Sequence, residues 1–123
     1  MMIENKNMDL VLPQFFSVNL FGGENTAIPA QFYQSFLGGT LLKESFGHSE
    51  LKLTTGQTIV FSKNTEHCPV RPGTITIQCL PETVQNHPQL STLKLVEQIP
   101  GKNYSLYEDP WENWIWIYFL DSK

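Results

Sequence analysis

The sequence predicts an α+β domain made of two β-α-β-β-β-type modules, the second of them shortened. Three observations carry this. The order strand, helix, meander occurs twice, over residues 14–63 and again over 73–120, on either side of a polar connector at 64–72 that contains two prolines. A single strong helical stripe, Ile28, Phe32 and Phe36, lies among segments that alternate with period two. The chain then closes on Trp114-Ile-Trp-Ile-Tyr-Phe-Leu120, a run apolar on both faces, so that each face needs cover. With 123 residues the chain is one domain, long enough to bury a core without disulfides or metals.

Taken in order, residues 1–13 are polar and then Leu-Val-Leu-Pro, a frayed start. Phe15 to Phe21 alternates, with Phe16, Val18 and Leu20 on one face and Ser17 and Asn19 on the other; Gly22-Gly23 ends the strand. Asn25 or Thr26 caps the helix, and Pro29 is tolerated in its first turn, where its missing N–H has no partner to lose. Ile28, Phe32 and Phe36 form the inner stripe with Leu37 beside it, and Gly38-Gly39 stops the helix. Thr40 to Phe46 is a strand, Glu50 to Thr54 another with Leu51 and Leu53 inward, and Thr55-Gly56 turns the chain back into Thr58 to Ser62.

In the second half, Thr74 to Leu80 sets Ile75, Ile77 and Cys79 against Thr74, Thr76 and Gln78. Residues 81–88 read as loop and Gln89 to Gln98 as a short helix on Leu90 and Leu93, ended by Pro100-Gly101. This leaves no room for one strand of the second copy. Two strands follow, joined by a tight Asp109-Pro110-Trp111-Glu112-Asn113 turn. In the last, Ile115, Ile117 and Phe119 are expected to face the helices, and Trp114, Trp116 and Tyr118 to face a cavity.

Composition narrows the function. Hydrophobic residues at 41% and charged residues at 16% suit a soluble globular protein. A net charge of −4 without a basic cluster argues against nucleic acid, and no Lys or Arg interleaves the C-terminal aromatics as a base-stacking platform would require. No 18-residue apolar run and no apolar signal core are present, so the expectation is a cytoplasmic protein with no membrane partner. Cys68 and Cys79 form no CxxC pair and read as inert thiols.

Two motifs carry a resemblance. Phe32-Tyr33-Gln34-Ser35-Phe36-Leu37-Gly38-Gly39 resembles the helix end of the vicinal oxygen chelate superfamily, the glyoxalase, bleomycin-resistance and extradiol-dioxygenase group. Asp109-Pro110-Trp111-Glu112-Asn113 resembles that group's turn before the final strand. The resemblance runs from about Phe15 to Phe119, and the aromatic ending is similar to the demethylubiquinone-methyltransferase-like branch. It implies two modules whose mixed sheets curl around a cavity, commonly in a homodimer. It also implies a divalent metal held by His, Gln or Glu from the first and last strands of each module.

The sequence departs from that metal pattern. Trp116 stands where metal-binding members carry a Glu after the turn's Asn, and Glu112 replaces the turn's glycine. The other strands offer Phe15, Ser17 and Asn19; Thr58, Val60 and Ser62; and Thr74, Thr76 and Gln78. Two neutral amides, Asn19 and Gln78, do not hold a divalent ion against water. His48, Glu50, His67 and His87 lack ligand spacing, and His67 beside Cys68 is a poor nucleophile pair. The expectation is therefore no metal, no cofactor and no catalytic residue. A small organic ligand is held by Ser17, Asn19, Thr74, Thr76, Gln78, Trp114, Trp116 and Tyr118 in an aromatic-lined cavity of a homodimer. Two alternatives stand beside it: a metal-dependent lyase or dioxygenase relative with atypical ligands, and a non-catalytic interaction protein whose cavity the tryptophans plug.

Overall fold

The computed structural model describes residues 12–120, so the reading of residues 1–11 as a frayed, signal-free start falls outside the described residues. The first module consists of β1 (Val18–Phe21), α1 (Ala27–Leu37), β2 (Thr40–Lys43), β3 (His48–Lys52) and β4 (Thr58–Ser62). The second consists of β5 (Thr74–Cys79), α2 (Pro81–Asn86), β6 (Lys94–Gln98), β7 (Tyr104–Glu108) and β8 (Trp114–Phe119), with a 3-10 turn at Leu90–Thr92 between α2 and β6. Each makes a four-stranded mixed sheet of the same topology, β1-β4-β3-β2 and β5-β8-β7-β6. In both, the first strand pairs in parallel with the last, and the remaining pairs are antiparallel.

The second module is shortened in its helix, not by loss of a strand. Pro81 opens a helix of 6 residues where the first module has 11, and Lys94–Gln98 pairs with β7 instead of continuing a helix. The physical reason lies in exposure. Leu90 and Leu93 are buried anchors as the periodicity suggests, but every residue from Lys94 to Gln98 is exposed. A helix there would bury no further apolar face, whereas a strand gains partners for its backbone from β7. The outer strands β2 and β6 each carry a bulge at the equivalent place, between Leu41 and Lys43 and between Leu95 and Glu97. Such kinks blunt an edge against further strand addition.

Helix α1 also turns a different face inward. Pro29, Ala30 and Tyr33 are buried and Ile28 is exposed; Phe32 and Phe36 flank the buried line. Phe32 packs edge-on to Trp111 at 5.3 Å and Phe36 to His87 at 6.0 Å, so the two phenylalanines meet the second module while Tyr33 enters the core. At the helix start Asn25 Oδ1 accepts from the Ala27 N–H at 3.2 Å. The Thr26 hydroxyl donates instead to the Ser45 carbonyl at 2.6 Å, which ties the helix to the β2–β3 loop.

One hydrophobic core serves both modules, joining Leu20, Tyr33, Leu51 and Ile59 to Leu90, Ile115 and Ile117. In β8 the alternation holds as read from the sequence: Ile115 and Ile117 are fully buried in that core, while Trp114 and Tyr118 are each 43% exposed on the other face. Strand β1 begins at Val18, and Phe15 and Phe16 before it are exposed. Among the described residues no helix is long and apolar enough to cross a membrane.

Candidate functional site

The seam between the modules is fastened at one end by a buried polar cluster. Asn113, with no exposed surface, accepts through Oδ1 from the N–H groups of Phe21 and Gly73, both at 2.9 Å. Its Nδ2 donates to the Phe21 carbonyl at 2.8 Å and to Asp109 Oδ2 at 3.0 Å. Asp109 Oδ1 accepts from the N–H groups of Trp111 and Asn113, each at 2.8 Å. Burial pushes the Asp109 carboxyl above the usual range, and the hydrogen bonds from Tyr33, Asn113 and Trp111 draw it part of the way back. Burial, the Asp109 charge and the hydrogen bond to it hold the Tyr33 hydroxyl protonated. The two family-like motifs thus meet in space and clasp each other.

Gly73 lets the strands close. A Cβ there would lie 2.9 Å from Leu20 Cδ2 and 3.1 Å from the Asn19 carbonyl, inside normal contact. Elsewhere along the seam the modules leave a cavity of about 610 Å³. Its inner wall is aliphatic: Val18, Leu37, Leu53, Ile59, Ile75 and Ile77. Exposed neutral groups form its outer rim, Thr55 and Gln57 from the β3–β4 turn and Thr76, Gln78 and Tyr118 from the second sheet. Among the described residues no charged side chain lines it.

Of the residues expected to hold a ligand, Thr76, Gln78 and Tyr118 line this cavity. Thr74 and Trp114 border a shallower pocket of about 430 Å³ with Glu108 and Glu112. Ser17 donates to Asn19 Oδ1 at 2.8 Å, outside both linings. Neither tryptophan lines the cavity as expected: Trp116 sits on the open face of the second sheet, its ring 5.8 Å from Tyr104, which in turn lies 5.0 Å from Tyr118, so the wall is aliphatic and not aromatic. The sequence reading missed Gln57 and the aliphatic wall. The visible signal is Thr55-Gly56-Gln57, a hairpin turn with neutral polar residues on both sides of its glycine.

The described residues do not fit a divalent metal. Trp116 pairs in register with Thr76 and Leu106, and on the equivalent face of the first sheet Asn19 pairs with Val60, itself opposite Glu50. Glu50 Oε2 is taken up by His48 Nε2 at 2.7 Å. His67 is exposed in the connector, and His87 Nε2 contacts the Ser35 carbonyl at 2.9 Å. Among the described residues no three His, Cys, Asp or Glu side chains stand together to form a metal site. Cys68 and Cys79 are both free thiols, Cys79 raised above the ordinary thiol range by burial.

No protein-family model matches the sequence, and no curated protein matches it significantly. Solved structures do match the fold. TnmS3, an antibiotic binding protein from Streptomyces sp. CB03234, superimposes with a TM-score of 0.57 at 12% identity, over 89% of this chain and 98% of that one. FosX, a fosfomycin resistance protein from Listeria monocytogenes complexed with Mn(II) and sulfate, gives 0.59 at 11% identity, over 89% and 92%. A glyoxalase/bleomycin resistance protein/dioxygenase from Nocardioides gives 0.56 at 14%, over 98% and 96%. Paired modules of one topology, clasped through the helix-end and turn motifs, give this chain the vicinal oxygen chelate fold of the glyoxalase, bleomycin-resistance and dioxygenase proteins.

Proposed function

We propose that the protein binds a small organic molecule in the cavity between its modules, without a metal ion and without covalent chemistry. The observation that carries this is the cavity itself. A volume of about 610 Å³ with an aliphatic wall and a few neutral polar groups has the size and character of ligand pockets. An antibiotic binding protein of the same fold supports small-molecule binding as a use of this architecture. Thr76, Gln78 and Tyr118 supply polar contacts in this reading, and Ser17, Asn19 and Thr74 contribute only if the ligand extends beyond the cavity.

The metal-free part rests on the donor set: Trp116, Val60 and Thr76 offer no ligating atom suited to a divalent ion. Elemental analysis after dialysis tests it, and a stoichiometric retained ion would favour the metal-dependent lyase or dioxygenase alternative. Trp116→Glu adds one carboxylate and is expected to bind no metal, because the other positions stay empty. For the ligand, thermal shift against a panel of small organic molecules is the test. A panel without any stabilising compound supports the interaction-protein reading, although no tryptophan fills the cavity.

A second reading concerns assembly. Trp114 and Tyr118 leave much of their rings exposed beside Trp116 and Tyr104. An aromatic face of this kind suits a homodimer seam. Sedimentation of the wild type and of Trp114→Ser distinguishes this: a monomer in both removes the dimer.

A further inference from the structure

We infer that the cavity is the unlocked counterpart of the Asn113 clasp, and that its ligand pairs an adjacent N–H and C=O with the backbone of Gln78; this rests on the cavity-binding reading above. The two modules repeat one another turn for turn. The Leu53 N–H donates to the Gln57 carbonyl at 2.8 Å, and the Gly56 N–H to the Leu53 carbonyl at 2.9 Å. Asp109 and Glu112 make the same two bonds, to Asn113 at 2.9 Å and to Asp109 at 3.2 Å. Gly56 and Glu112 both take positive φ, 102° and 71°. Gln57 therefore holds the place in the first module that Asn113 holds in the second. Val18 pairs with Ile59 as Ile75 pairs with Ile115, which makes Gln78 the equivalent of Phe21, and Phe16 the equivalent of Gly73.

In a parallel pair, alternate residues turn both backbone groups to the same neighbour. The Gly73 and Cys79 carbonyls accept from the N–H groups of Trp114 and Leu120, so the odd-numbered residues of β5 face β8. Thr76 and Gln78 turn their N–H and carbonyl to the seam instead. There β5 is an edge strand, and among the described residues none bonds these groups of Gln78. At the equivalent place Phe21 gives its N–H to Asn113 Oδ1 at 2.9 Å and accepts from Nδ2 at 2.8 Å. Gln57 does not repeat this: among the described residues its side chain bonds only the Thr55 hydroxyl, within its own turn. Phe16 also stands where the close approach at the other end depends on a glycine. One end of the seam thus closes on a side-chain amide, and the other opens on the cavity beside Gln78.

A guest amide there supplies what Asn113 supplies at the far end. A primary carboxamide, lactam or imide carries N–H and C=O on the same side and can serve both groups of one residue. A trans secondary amide carries them on opposite sides, and an ester has no N–H to give.

The experiment titrates the full-length protein with hexanamide, N-methylhexanamide and methyl hexanoate, by calorimetry and by amide NMR. Hexanamide is expected to bind about fivefold or more tightly than the other two, each of which forfeits one hydrogen bond. The Gln78 amide proton is expected to move downfield with hexanamide. Gln78→Pro removes that N–H at an edge and spares the β8 ladder, and is expected to weaken hexanamide about fivefold. If that variant does not fold, the wild-type Gln78 resonance decides. Hexanamide that binds no better than the ester, or leaves the Gln78 amide unmoved, overturns the inference while the cavity reading stands. If none of the three binds at millimolar concentration the inference also falls, and the cavity reading falls with it only if the thermal-shift panel finds no ligand either.

Discussion

Tyr33 and Asp109 lie 76 positions apart and share a 2.6 Å hydrogen bond in which the phenol donates to the buried carboxylate. This one contact joins the first module's helix to the last turn of the second. Tyr33→Phe removes the donor and leaves Asp109 Oδ2 with only the Asn113 amide. Losing a hydrogen bond to a buried charged group is expected to cost about 1.5–3 kcal/mol. Urea denaturation followed by far-UV circular dichroism measures it, and a loss below about 0.5 kcal/mol would show that the clasp is dispensable.

Asn113 makes a larger claim on stability, because its side chain serves the N–H groups of β1 and Gly73 at once. Asn113→Ala removes the partners of those N–H groups and of the Phe21 carbonyl, and one of the two donors to Asp109 Oδ2. The expected cost is about 3 kcal/mol or more, at the severe end for a single substitution. A midpoint shift of that size without a change in denaturant slope checks it.

The turn itself stores strain that can be released. Glu112 adopts φ 71°, in the left-handed region where side chains with a Cβ are disfavoured. Glu112→Gly removes that penalty and adds unfolded-chain entropy, for a net gain of about 0.5–1 kcal/mol. A variant less stable than wild type would indicate that the Glu112 side chain contributes contacts that outweigh the backbone cost.

The same cluster gives the protein a signed pH dependence. Asp109's carboxyl is raised by burial above its unfolded value of about 3.9. An acid raised on folding contributes stability that is complete below the unfolded value and is lost as pH rises through the folded one. Asp109→Asn has no such term. The stability advantage of wild type over this variant is therefore expected to shrink as pH rises above about 4, read from urea midpoints at a series of pH values. An advantage that widens would mean the hydrogen bonds outweigh the desolvation of the charge.

Much of the fold was legible because side-chain alternation speaks plainly where one face is buried. Ile115 and Ile117 against Trp114 and Tyr118 is such a case, as is the order of the β5 residues. The reading failed where local pattern and burial part company. In α1 the period favoured Ile28, Phe32 and Phe36, yet Tyr33 goes inward because a partner 76 positions away accepts its hydroxyl. In β6 apolar residues mimicked a helix although nothing covers them. The candidate site was less legible for a related reason. Cavity walls come from Val18, Leu37, Leu53 and Ile75, residues that read as ordinary core until two strand edges are seen not to close on each other.

Because a single core runs through both halves, the molecule is a candidate for dissection and reassembly. The connector between β4 and β5 is exposed from Asn64 to Pro69, and a cut there would break no strand. Each fragment would carry half of an apolar surface and half of a hydrogen-bonded lock, Tyr33 and Phe21 on one side, Asp109 and Asn113 on the other. Two such pieces, unable to fold apart, would be expected to recover native structure when mixed, with Asn113 as the key that decides whether they do.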